Sequence, residues 1–121
     1  MSQAAFAKSY IELKTQSKIA KGRPAVFKAK VLEPGVRKIR LRYRNTTDKE
    51  FKWVNFEKIT DNEFGATIDS SAIFGLTVYY YIVLQKVDGS VEMLYGSPTE
   101  PHRIQIDRRT GEAVVLSLIH I

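Results

Sequence analysis

Four cations, Lys38, Arg40, Arg42 and Arg44, stand two residues apart and are interleaved with Ile39, Leu41 and Tyr43. A spacing of two puts side chains on one face of a β-strand. The same alternation sets Phe51, Trp53 and Asn55 against Val54 and Phe56, and Tyr79, Tyr81 and Val83 against Val78, Tyr80 and Ile82. With the cationic strand between the other two, these side chains share one sheet face. A guanidinium offers a planar fork to carboxylate or sulfate, and an aromatic ring offers a flat apolar surface to a sugar or a partner side chain. The candidate binding face is therefore Lys38, Arg40, Arg42, Arg44, Trp53, Tyr79 and Tyr81. Local cation–π pairing, worth about 0.5–1 kcal/mol per exposed pair, is a sufficient bland reason for the pattern. The functional readings are an interface with a neighbouring domain or another protein, since Arg, Tyr and Trp dominate interface energetics, or a site for a glycan or anionic polymer. The net charge of +6 is only an electrostatic footprint, so nucleic acid is not expected as a partner.

Catalytic patterns are missing from the sequence. It holds no cysteine, which excludes disulfides, thiolate nucleophiles, zinc–thiolate sites and iron–sulfur clusters. It has no G-x-S-x-G elbow, phosphate loop or H-E-x-x-H helix. His102 follows Pro101 in a loop-like stretch with no marked serine partner, and Asp61, Glu63 and Asp69 match no calcium-loop spacing. We expect no catalytic residue, no metal site and no cofactor, and a chain that is not an enzyme. No apolar run approaches the ~18 residues of a membrane helix, so no membrane insertion is expected.

The elements that must position the face are strands. The chain has 121 residues, 44% hydrophobic and 26% charged, which suits one globular domain. Residues 1–8 read as a linker. Phe6, Tyr10 and Leu13 have helical spacing while Ile11 and Leu13 alternate, so periodicity does not decide that region. Beyond Gly22-Arg23-Pro24, alternation marks strands at 25–32, 36–44, 51–59, 64–69, 77–86, 91–95 and 103–106. Asp88-Gly89 reads as a tight hairpin turn with both residues at positive φ. Pro98 and Pro101 place the last strand at an edge or break it. Seven short antiparallel strands with turns every 8–12 residues predict a two-sheet β-sandwich over residues 9–106. The expected core is Phe27, Ala29, Val31, Ile39, Leu41, Tyr43, Val54, Phe56, Phe64, Ala66, Ile68, Val78, Tyr80, Ile82 and Leu84.

The order of these pieces resembles a bacterial immunoglobulin-like or fibronectin type III-like module of a multidomain envelope or secreted protein. Val36…Ile39-Arg40-Leu41-Arg42-Tyr43-Arg44 is similar to that family's "V..V.L.YR" strand. Trp53-Val54-x-Phe56 is similar to its Trp-containing strand, Phe64-Gly65-Ala66-Thr67-Ile68-Asp69 to its aromatic-x-Ala-x-Ile-Pro strand with Asp69 in place of proline, and Val78-Tyr79-Tyr80-Tyr81-Ile82 to its "V.YYI" strand. Gln85-Lys86 departs from the acidic residue common there. The resemblance covers residues 22–106. It implies a non-catalytic structural or accessory module that spaces or packs against adjacent domains of the same polypeptide, in an extracellular or cell-envelope location. The alternatives it leaves are a carbohydrate- or anionic-polymer-binding module and an accessory domain of a secreted hydrolase.

Residues 107–115 read as a polar turn, Asp107-Arg108-Arg109-Thr110-Gly111, and then a linker or the start of a next segment. The last six residues, Leu116-Ser117-Leu118-Ile119-His120-Ile121, match residue for residue one translation frame of a transposase mosaic-end adapter. We expect them to be non-native, with the natural chain continuing past Val115.

Overall fold

A computed structural model of the chain describes residues 11–110. The 1–8 linker and the 116–121 tail lie outside them. Ten strands form: β1 (Ile11–Thr15), β2 (Lys18–Lys21), β3 (Ala25–Val31), β4 (Val36–Asn45), β5 (Lys52–Asn55), β6 (Glu57–Thr60), β7 (Glu63–Ile68), β8 (Thr77–Lys86), β9 (Val91–Leu94) and β10 (His102–Thr110). They make two sheets, β1-β3-β7-β6 and β2-β10-β8-β4-β5, with β9 beside β8 in line with β10. All pairings are antiparallel except β10 with β2.

Among the described residues ten strands replace the seven expected, because the undecided residues 11–21 supply two and the 51–59 stretch divides into two. Residues 11–21 give β1, which pairs with β3, and β2, which pairs with β10 in the other sheet. The 51–59 stretch divides at Phe56. There β5 leaves its pairing with β4, the Phe56 ring is buried, its N–H donates to the Ile39 carbonyl at 2.9 Å, and β6 joins β7 in the opposite sheet. The final stretch breaks between β9 and β10, where the two prolines stand. Two turns also differ from expectation. At the β8–β9 hairpin only Gly89 has positive φ, 91°. Gly89 N–H donates to Lys86 O, and Lys86 N–H to Ser90 O. The loop is thus one residue longer, a type I turn closed by a left-handed glycine. Strand β10 runs on to Thr110 through the stretch read as a turn, with a register shift between Asp107 and Thr110.

The core lies between the sheets, with Phe27 edge-on to Tyr80 at 5.0 Å. Of the expected core residues, Val31, Val54 and Phe64 are partly buried and the rest are buried. Ile11, Ile19, Ala25, Ile104 and Ile106 complete it; Ala25 extends the inward row of β3, and the others come from strands whose periodicity was short or undecided.

A polar knot secures the far end of β4. Asn45 is fully buried. Its Nδ2 donates to Ala72 O at 2.9 Å and to Asp48 Oδ2 at 3.1 Å, while its Oδ1 accepts from Phe74 N–H at 2.9 Å. Asp48 Oδ2 also accepts the Asn45 backbone N–H at 3.0 Å. One amide therefore joins β4 to the 3₁₀ turn Ser70–Ala72 that leads from β7 to β8. The other edge is closed by Tyr95. Its hydroxyl donates to Ile11 O at 3.0 Å and accepts from Leu13 N–H at 3.1 Å, which satisfies the open side of β1. Tyr95 has φ 54° and Gly96 φ 113°, and a Cβ on Gly96 would meet His102 N at 2.9 Å, so the break needs glycine there.

The described chain enters at one pole of the sandwich and leaves at the other. Ile11 faces Val31 next to Leu32, at the end where Val87 N–H donates to Gly35 O, whereas Ile106 N–H donates to Leu76 O near Phe74. Leu32, Val87, Phe74 and Leu76 are each more than half exposed.

Two outcomes follow. Leu41 is wholly buried, so Leu41→Ala should cost about 2–5 kcal/mol in urea unfolding; a loss below about 0.5 kcal/mol would place the strand one residue out of register. The Asn45 backbone N–H holds the Asp48 carboxyl below the usual carboxylate range. A lowered folded value gives stability that is present above the unfolded pKa of about 3.9 and lost as pH falls through the folded one. Asp48→Asn should flatten that part of the stability curve below about pH 4, and an unchanged acid limb would remove this role from Asp48.

Candidate binding face

Strand β4 lies between β5 and β8, and its two rows of side chains go opposite ways. Ile39, Leu41, Tyr43 and Asn45 are buried; Lys38 is exposed, and Arg40, Arg42 and Arg44 are half-buried on the outer face. Across β5, Arg42 stands opposite Trp53 and Arg40 opposite Asn55. Across β8, Lys38, Arg40, Arg42 and Arg44 face Gln85, Val83, Tyr81 and Tyr79. The structure therefore brings the candidate residues onto one face.

The rings stack on the guanidiniums. Arg40 Cζ lies 4.7 Å from the Trp53 centroid, and its Nε donates to Asn55 Oδ1 at 3.1 Å. Arg44 Cζ lies 4.4 Å from the Tyr79 ring and 5.4 Å from Phe51. Tyr81 is not displayed as the alternation suggested. It is only 4% exposed, because Phe51 packs edge-on over it at 5.0 Å. Trp53, at 53% exposed, is the open ring.

The electrostatics are one-sided. The cross-strand partners of the cations are neutral, and among the described residues none of Lys38, Arg40, Arg42 and Arg44 forms an ion pair with Asp or Glu. Arg42 Nε is buried and lacks a hydrogen-bond partner within the molecule. Alternate residues of a strand lie about 6.8 Å apart. Adjacent like charges at that spacing cost about 0.6 kcal/mol in water and about 2 kcal/mol near a protein surface. The outer face of the other sheet mixes signs instead, with Glu12 opposite Lys30 and Lys30 opposite Glu63.

Alternation within three strands did not find every residue of the face. Met93 and Val91, both exposed, pair with Val83 and Gln85, and Arg103 pairs with Tyr79. The Asp88-Gly89 hairpin was the available signal for the first two; Arg103 depended on β10 realigning after the break. A shallow groove of about 180 Å³ lies between Lys38, Arg40, Val83, Gln85 and Val91. His102 lies off this face. It opens β10 and contacts the rings of Tyr80 and Tyr95 at 5.7 and 6.2 Å. Among the described residues no three His, Asp or Glu side chains gather as a cation site, and no helix is long and apolar enough to cross a membrane.

These features define an all-β, two-sheet sandwich with an arginine–aromatic outer face. No family model and no curated protein matches the chain. It is similar to a crystal structure of an engineered protein, with a TM-score of 0.51 and 7% identity over 81% of this chain, which spans 20% of that one. It is also similar to a chain in a structure concerned with T cell specificity and activation by the bacterial superantigen toxic shock syndrome toxin-1, with a TM-score of 0.45 and 10% identity over 81% of this chain and 98% of that one. At 7% identity the first likeness shows the fold alone.

Because Trp53 is more than half exposed, its main contact is the Arg40 stack. Trp53→Ala should lower stability by only about 0.5–1 kcal/mol, read by urea unfolding with far-UV detection. A loss above about 3 kcal/mol would make the ring part of the core.

Proposed function

We propose that this chain is a non-catalytic, immunoglobulin-like accessory module of a larger extracytoplasmic polypeptide, which spaces or positions adjacent domains. The strand order supports the immunoglobulin-like reading. The sheet β1-β3-β7-β6 corresponds to A-B-E-D, and β9/β10-β8-β4-β5 to G-F-C-C′. The observation that carries the spacer role is the placement of the described segment's ends: β1 starts next to Leu32, and β10 passes Leu76 at the opposite end of the sandwich. Such a unit can be strung in series without bending the chain back, and exposed apolar side chains at each pole suit contact with a preceding and a following domain.

The test is a head-to-tail fusion of two copies of the chain, studied by small-angle X-ray scattering. An elongated particle about twice the length of the single module, with each copy unfolding as cooperatively as the monomer, is expected. A compact, side-by-side particle would overturn the spacer role.

A further inference from the structure

We propose that the outer face of β4, β5 and β8 binds an acidic protein segment in extended conformation, with Asp or Glu on alternate residues and Arg42 as the central anchor. This deepens the accessory-module reading and rests on it. Charge and spacing carry the inference. The cations of β4 repeat every second residue, about 6.8 Å, which is the spacing of alternate side chains along an extended peptide laid beside them. Their cross-strand neighbours are Gln85, Asn55, Val83 and aromatic rings, so the face carries no carboxylates of its own at those positions. Arg42, in the middle of the row, has a buried Nε without a partner. Arg40 and Arg44 are held by Trp53, Tyr79 and Phe51, and each spends one nitrogen inside the molecule, Arg40 Nε on Asn55 and Arg44 Nη1 on the Asn45 and Asp48 carbonyls, so little side-chain freedom remains to be lost when their other nitrogens meet a ligand.

The same geometry disfavours a sugar. Stacking a saccharide needs an open ring. Tyr81 is covered by Phe51 and Tyr79 lies against Arg44, so Trp53, with one face taken by Arg40, is the single ring of the three left to stack on. Beside the cations lies apolar surface, the exposed Val91 and Met93 and the half-buried Val83, along a groove that Lys38, Arg40 and Gln85 also line. That is the surface of a protein contact, with arginines and an aromatic at its centre.

The probe is a synthetic eight-residue peptide of alternating Glu and Thr, titrated into the 121-residue chain at low ionic strength. Trp53 is the single tryptophan, so its emission reports directly from the face. We expect a saturable change that weakens steeply with salt, is lost with the Gln/Thr peptide, and is about tenfold weaker in Arg42→Gln at an unchanged thermal midpoint. If Arg42→Gln lowers the midpoint, the exposed Lys38→Gln reads the same row without disturbing packing and should weaken binding about threefold. Absence of a saturable change, equal affinity in both variants, or equal binding of a peptide with its glutamates in one block would each overturn the proposal. Tighter binding of oligogalacturonate than of the peptide would overturn the protein partner in favour of an acidic glycan. A failed titration beside an elongated tandem leaves the module reading intact, because the poles and this face share no residues.

Discussion

The register of β4 is the constraint on which both the core and the outer face depend. Its inner row, Ile39, Leu41, Tyr43 and Asn45, is buried, and its outer row is Lys38, Arg40, Arg42 and Arg44. A slip of one residue would exchange them, driving cations between the sheets at a cost of several kcal/mol each. The register is held from both sides: Leu41 faces Val54 on β5 and Ile82 on β8. Asn45 holds it lengthwise, since its amide finds Ala72, Phe74 and Asp48 only at that depth. A buried amide left without those partners would cost about 1–3 kcal/mol. The cationic ladder is thus the outward half of the same alternation that builds the core.

The sheets are joined by segments that change sides. The chain passes from β1 to β2 through Gln16-Ser17 and from β5 to β6 through Phe56, so each sheet lends strands to the other's rim. A crossing exposes backbone groups that a continuous ladder would have satisfied. At one crossing Ile39 O accepts from Phe56 N–H, and at the other Gln105 N–H donates to Ser17 O. Tyr95 does the same for the outer side of β1, reaching from a left-handed backbone in the β9–β10 break. The strain of that conformation, of order 1–3 kcal/mol, is offset by two hydrogen bonds and by ring contact with His102.

Much of this was legible in the residues. Strict alternation in β4, β7 and β8 gave faces and partners because one side of each is buried and the other is not. What stayed illegible was tertiary. Residues 51–59 alternate well enough to read as one strand, and nothing local says that the chain changes sheets at Phe56. Tyr81 has the outward phase and is nevertheless buried, because a second ring, Phe51, folds over it from the loop before β5. Asn45 lies one residue past the strand expected at 36–44; its burial depends on carbonyl and amide groups 27 and 29 residues away.

Stacking and neutralisation are separate effects on the outer face. A ring beneath a guanidinium attracts it through the quadrupole and restricts its rotamers, yet removes no charge. Arg40 and Arg44 are therefore ordered and still charged, whereas Lys30 of the opposite sheet lies between Glu12 and Glu63 and gains little order from them. The cross-strand neighbours of the row on β5 and β8 are neutral, and the Asp48 carboxylate eases the repulsion at its Arg44 end. Along Lys38, Arg40 and Arg42, relief would come from a negative group outside, and the row sets terms for it. A diffuse counterion cloud would screen the charges equally well on a flexible surface. Only a ligand with its own carboxylates at matching intervals gains from the fixed positions that Trp53 imposes on Arg40 and that Phe51 and Tyr79 impose on Arg44.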